Sequence, residues 1–128
     1  MSWKIFSDTF LVSVDHRNRI NFPIALSVLL KQRGWSSVTL MINAPTSCIG
    51  ISRHAGEKSG QEGSAIPIGW NKKNIRITIP TVFFSFFNLP PDTLRGKRFF
   101  LRVDHLPDGE MLLVIDYSQP LHKTQSKR

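Results

Sequence analysis

Two pentads constrain this chain more than any other feature. "RINFP", Arg19–Pro23, and "RITIP", Arg76–Pro80, begin 57 residues apart and carry Arg, Ile and Pro at the same places, with an apolar residue before each Pro. A short polar, basic run precedes each: "DHRN" for the first, "NKKN" for the second. Apolar residues follow both. Alternation of apolar and polar residues predicts a strand. Proline cannot donate to a central ladder but suits the first turn of a helix. A strand that ends on such a proline and hands over to a helix, written twice, predicts two units with the same order of elements.

The flanking residues fill in those units. Phe6, Phe10, Val12 and Val14 share one parity between Trp3 and Val14, which predicts a strand, with "DHRN" as the turn after it. In "IALSVLLKQRG", Ile24, Ala25, Val28 and Leu29 recur at helical spacing, cations occupy the last turn and Gly34 is the stop. Strands are expected around Val38–Ile42 and Cys48–Ile51, about a turn at Asn43-Ala44-Pro45. The second half runs strand (65–70), turn ("NKKN"), strand ("IRITIP"), short helix ("TVFFSFF") and a hairpin turning on Pro107-Asp108-Gly109.

The expected division is residues 1–53 as a first repeat and 54–64 as a polar, Gly-rich linker. Residues 65–117 form a second, degenerate repeat and 118–128 a flexible basic tail. A half of this size buries little surface alone, so the two halves are expected to share one core. The fold class expected is mainly β with short helices: two pseudo-repeats packed as one intramolecular pseudo-dimer.

Charge narrows the function. Seventeen Lys and Arg against nine Asp and Glu leave a net charge of +8, which suits a polyanionic partner. No run approaches the length of a membrane span, and the first residues, with Asp8, lack the apolar stretch of a signal peptide. Cys48 is the single cysteine, so no disulfide forms within the chain. A soluble, cytoplasmic protein is expected. His16, His54, His105 and His122 are scattered, without metal-ligand spacing. Asp15, Asp104, Asp108 and Asp116 suggest no acid–base pair, and no phosphate loop is spelled out. Neither a cofactor nor an enzymatic activity is expected.

Over Leu11 to Trp35 the chain resembles the AbrB/SpoVT superfamily of swapped-hairpin DNA-binding domains. The resemblance rests on Val12-Ser13-Val14-Asp15, then His16-Arg17-Asn18, then Arg19–Pro23 and a helix ending at Gly34. The second copy matches at Arg76–Pro80 and in element order, with Lys72 at the place of the aspartate. Two copies in one chain resemble the MraZ arrangement within that superfamily. The resemblance implies a nucleoid-associated transcriptional regulator that sets basic turn tips into the major groove of double-stranded DNA. By the same resemblance His16, Arg17 and Arg19 face DNA from the first copy, and Lys72, Lys73 and Arg76 from the second. A basic pair that the family often carries on its helix is replaced by Ser27-Val28 and by Phe84-Ser85, with Lys31 and Arg33 standing in one turn later.

A second reading is a protein-interaction module, such as an antitoxin or an assembly subunit. Phe83, Phe84, Phe86 and Phe87 crowd one short helix and would serve as a contact for a protein partner or for another copy of the chain. Phe99 and Phe100, between Lys97-Arg98 and Arg102, come closest to a platform for stacked bases.

Overall fold

The structure, a computed structural model, describes residues 9–54 and 65–121. The strand expected from Trp3 is therefore seen from Thr9 onward. Most of the expected linker (55–64) and the end of the tail (122–128) lie outside the described residues.

Among the described residues nine strands and two helices follow one another. β1 (Thr9–Val14) and β2 (Arg19–Asn21) lead into α1 (Ile24–Gln32), then β3 (Ser37–Asn43), a single 3-10 turn and β4 (Cys48–Arg53). Beyond 55–64 come β5 (Ile66–Pro67), β6 (Gly69–Asn71), β7 (Asn74–Thr78), α2 (Thr81–Phe86), β8 (Arg98–His105) and β9 (Met111–Asp116). The mainly β class expected from the sequence is what the chain adopts.

All nine strands join one antiparallel sheet in the order β5-β3-β4-β9-β8-β1-β2-β7-β6. The two end strands, β5 and β6, are separated in sequence by Ile68 alone, so the sheet nearly closes on itself. Closure hides most of the unpaired edge that an open sheet would present to other chains. Side-chain alternation then has one meaning all round: Val12, Val14, Ile20, Ile49, Ile51, Ile75, Ile77, Phe99, Leu101, Leu113 and Ile115 point inward and are buried in a single core. Each such aliphatic side chain contributes roughly 1.5–3 kcal/mol by leaving water.

The two helices start and stop alike. Pro23 and Pro80 stand at the N-caps with extended backbone, where their missing N–H costs nothing. At the end of α1, Trp35 N–H donates to the Leu30 carbonyl and Gly34 N–H to that of Lys31. Gly34 has φ +77, the left-handed conformation this cap needs. At the end of α2, Leu89 N–H donates to Phe84 and Asn88 N–H to Ser85, with Asn88 at φ +58. The cap is the same, with asparagine replacing glycine.

The packed face of α1 differs from the stripe read in the sequence. Leu26, Ser27 and Leu30 are buried, while Ile24 and Val28 stand about half exposed. Ser27 sets this orientation. Its hydroxyl donates to the Pro23 carbonyl (2.9 Å) and accepts the Ile75 N–H of β7 (2.8 Å). A buried backbone N–H without a partner is costly, and that bond locks one side of α1 to β7. After β9 the chain turns back: Leu121 N–H donates to the Arg98 carbonyl, so residues up to 121 are held against β8.

Candidate nucleic-acid interface

β2 and β7 pair antiparallel, with Arg19 opposite Thr78, Ile20 opposite Ile77 and Asn21 opposite Arg76. Residues directly opposite share a face. Ile20 and Ile77 fill the core, so Arg19, Asn21, Arg76 and Thr78 form a polar stripe on the outside. The two hairpin loops do not meet. Because the strands run in opposite directions, the loop Asp15–Asn18 lies at one end of the stripe and Lys72-Lys73 at the other. At about 3.3 Å per residue the two loops stand roughly 20–25 Å apart.

The first loop is rigidly built. Asp15 accepts the N–H groups of Arg17 (2.9 Å) and Arg19 (3.0 Å), and its other oxygen takes the Arg19 Nε–H at 2.8 Å. Partial burial by itself pushes the Asp15 carboxyl up; these bonds together outweigh it and hold the pKa below its ordinary value of 3.8. Asn18 takes the left-handed conformation (φ +57) and its side-chain amide donates to the Pro91 carbonyl. His16 and Arg17 are left exposed. Backbone bonds from Gly96 to Val14 and from Val14 to Lys97 bring Arg95 and Lys97 to the same end of the molecule.

The second loop is built differently, and this corrects the correspondence between Asp15 and Lys72. β6 and β7 stay paired out to Asn71 opposite Asn74, so Lys72 and Lys73 are the tip of a longer, tighter hairpin. The residue opposite Arg76 is Gly69, where Asp15 stands opposite Arg19. A Cβ at Gly69 would come within 3.2 Å of the Arg76 carbonyl, so the close pairing favours glycine there. With no carboxylate beside it, Arg76 donates Nε–H to the Asn21 side chain (3.1 Å).

Trp70 organises the cations at this end. Its indole is 48% exposed and lies beneath the Lys31 ammonium, 5.8 Å from the ring centre. It lines a groove of about 470 Å³ with Ile24, Val28, Lys31, Lys72 and Lys73. The residue also borders a depression of about 410 Å³ on the outer face of the sheet that holds Arg19, Arg76 and Thr78, while its pairing with buried Ile75 turns the indole to the other face. No carboxylate is among the described residues lining either. Three of the eight cationic positions expected from the sequence, Lys31, Lys72 and Lys73, thus line one groove with the Trp70 indole, and Arg19 and Arg76 lie on the other face of the sheet. Trp70 was missed because a tryptophan in "AIPIGW" reads as one more apolar strand residue.

The remaining expected residues are elsewhere. Arg33 caps the C-terminal end of α1, near Glu110. Hydrogen bonds from Arg53 (2.6 and 3.2 Å), with a smaller pull from Arg33, hold the Glu110 carboxyl below its ordinary range. Arg102 is similarly bound through Nε and Nη2 by Asp104. Arg19 and Arg76 differ: among the described residues, hydrogen bonds engage only their Nε. Phe99 is buried, and Phe100 is exposed on the outside of β8 between Arg98 and the paired Arg102. Of the helix phenylalanines, Phe83 and Phe84 are buried and Phe86 is 77% exposed.

No three His, Cys, Asp or Glu among the described residues group to hold a metal ion, and no helix among them is long and apolar enough to cross a membrane. Comparison with protein-family models, with curated proteins and with solved structures finds no match for this chain.

Proposed function

We propose that this protein binds double-stranded DNA as a transcriptional regulator of the cytoplasm, with the duplex lying along the outer stripe of β2 and β7. The observation that carries this reading is the placing of Arg19 and Arg76 in one depression and of Lys31, Lys72 and Lys73 in a neighbouring groove, with no carboxylate among the described residues lining either. Asp15 takes only the Nε–H of Arg19, and Asn21 only that of Arg76; the remaining guanidinium N–H groups suit phosphates and guanine edges, and lysines at a hairpin tip suit phosphates. His16 and Arg17 at the opposite loop would reach the next stretch of backbone, and each loop would enter a major groove. Arg33, beside Glu110, is the weakest member of the set. No chemical step is required of the protein in this reading.

The same reading treats the chain as two swapped-hairpin units of the AbrB kind, fused into an internal pseudo-dimer. Register supports it. Moving Arg19, Ile20 and Asn21 on by 57 residues gives Arg76, Ile77 and Thr78, and the β2–β7 pairings exchange into one another. With the sheet taken as a ring closed at β5–β6, exchanging β1 for β5–β6, β2 for β7, β3 for β8 and β4 for β9 returns the strand order read backwards. Each hairpin would lack partners in a lone half, and covalent linkage supplies the other half at high effective concentration.

The test is selection from a random duplex pool at physiological salt. An enriched sequence, above all one with internal symmetry, is the expected result. Weak binding that enriches nothing and disappears with salt would leave only a charged surface.

One observation favours a second reading, a protein-contact role for α2. Val82 and Phe86 are exposed beside Leu40, Ile66, Pro80 and Phe87, a patch without a charged residue. An assembly subunit or antitoxin would use such a patch, as would another copy of this chain.

A further inference from the structure

We infer that Trp70 is a stacking platform for an unpaired or unstacked base, so that the protein prefers nucleic acid with a locally opened strand over a fully paired duplex. The inference deepens the nucleic-acid reading and rests on it. Three features of the groove beside Trp70 carry it. Its wall and floor are apolar and partly exposed: Trp70, Ile24 and Val28. Its rim carries the ammonium groups of Lys31, Lys72 and Lys73 and no described carboxylate. Its volume, about 470 Å³, is in the range of pockets that take a small planar ligand. A fully hydrated inorganic anion gains nothing from the apolar floor, and an apolar ligand gains nothing from three ammonium groups. A nucleotide unit joins a flat apolar face to an attached phosphate, and it satisfies both.

On the outer face of the same sheet Arg19 and Arg76 line a depression that the Trp70 residue also borders. A strand passing over this edge of the sheet can keep its backbone on Arg19 and Arg76 while one base turns into the lysine-rimmed groove. Phe100 is the rival platform, since it is more exposed. Its neighbour Arg102, however, is bound through Nε and Nη2 by Asp104, and the carboxylate repels a backbone that approaches there. Aromatic stacking of this kind is sequence-tolerant, because every base has a π-face.

The experiment compares two labelled duplexes of equal length, one fully paired and one with a single unpaired thymine, titrated at the same salt by fluorescence anisotropy. The wild-type protein is expected to bind the bulged duplex about fivefold or more tightly, the lower end of what one stacked base contributes. Trp70→Ala removes that ratio and Trp70→Phe keeps part of it. Lys72→Ala with Lys73→Ala weakens both duplexes by a similar factor and preserves the ratio. Because Trp70 is half exposed, the variants should keep the circular dichroism of the parent. A ratio near one in the wild type, or a ratio unchanged by Trp70→Ala, overturns the inference while leaving duplex binding intact. If the bulged duplex binds through Trp70 and the paired one does not bind, the duplex-regulator reading fails and this inference stands. Binding to neither overturns both.

Discussion

Two polar side chains decide local geometry that the apolar pattern leaves open. Ser27 is fully buried and its hydroxyl receives the Ile75 N–H. Ser27→Ala leaves that N–H without its partner, and urea unfolding should show a loss of about 1–3 kcal/mol. A loss under about 0.5 kcal/mol would mean the bond matters little. Asp15 is the other. Its folded pKa lies below 3.8, so its contribution to stability is fully present above that value. It is lost as pH falls through the folded pKa. As pH falls below 3.8 the stability gap between wild type and Asp15→Asn should narrow; a gap that stays constant throughout the acid range would contradict the assignment. The guanidinium comparison gives a functional prediction at the same scale. Arg19→Ala should weaken DNA binding about tenfold or more, the scale of one good arginine contact, and Arg53→Ala hardly at all. Arg53 sits at the end of β4 with its charge already met by Glu110. Equal effects in a binding titration would sink the stripe as the DNA surface.

Among the elements, the helices and hairpins were read correctly in kind and less well in detail. The prolines, Gly34 and the Pro-Asp-Gly turn act within a few residues of themselves, so they announce α1, α2 and the β8–β9 hairpin from sequence alone. Which face of α1 packs was not legible, because it depends on a hydrogen bond between residues 48 apart, Ser27 and Ile75. A count of apolar spacing favours Ile24 and Val28, and both remain partly exposed. Hence Leu26→Ala should cost about 2–5 kcal/mol and Val28→Ala no more than about 0.5 in the same unfolding assay. The reverse order would mean α1 is rotated. The different lengths of the two hairpins were hidden as well. Both basic runs look alike in sequence, but β6 and β7 pair two positions further towards their tip than β1 and β2, and this moves Lys72 away from the place of Asp15.

For the whole molecule, the pentads predict two like units; in the sheet the pentads themselves pair, with Ile20 opposite Ile77. Closure through β5 and β6 was beyond the sequence, because the register of a two-residue strand is set by its neighbours, not by its own composition. Trp70 of β6 lies beside α1, and its groove gathers Lys31 with Lys72 and Lys73, cations that lie far apart in sequence. The net charge of +8 gives a general attraction to polyanions, whereas the account makes a local claim about where that attraction acts. The direct test is the salt dependence of binding to one duplex between about 50 and 200 mM, for wild type and for a triple variant, Lys31→Ala with Lys72→Ala and Lys73→Ala. Each phosphate contact contributes a slope of about 0.9 in log K against log salt. The account predicts a steep slope for the wild type and one shallower by roughly 2–3 for the variant. Identical slopes for the two proteins would contradict it.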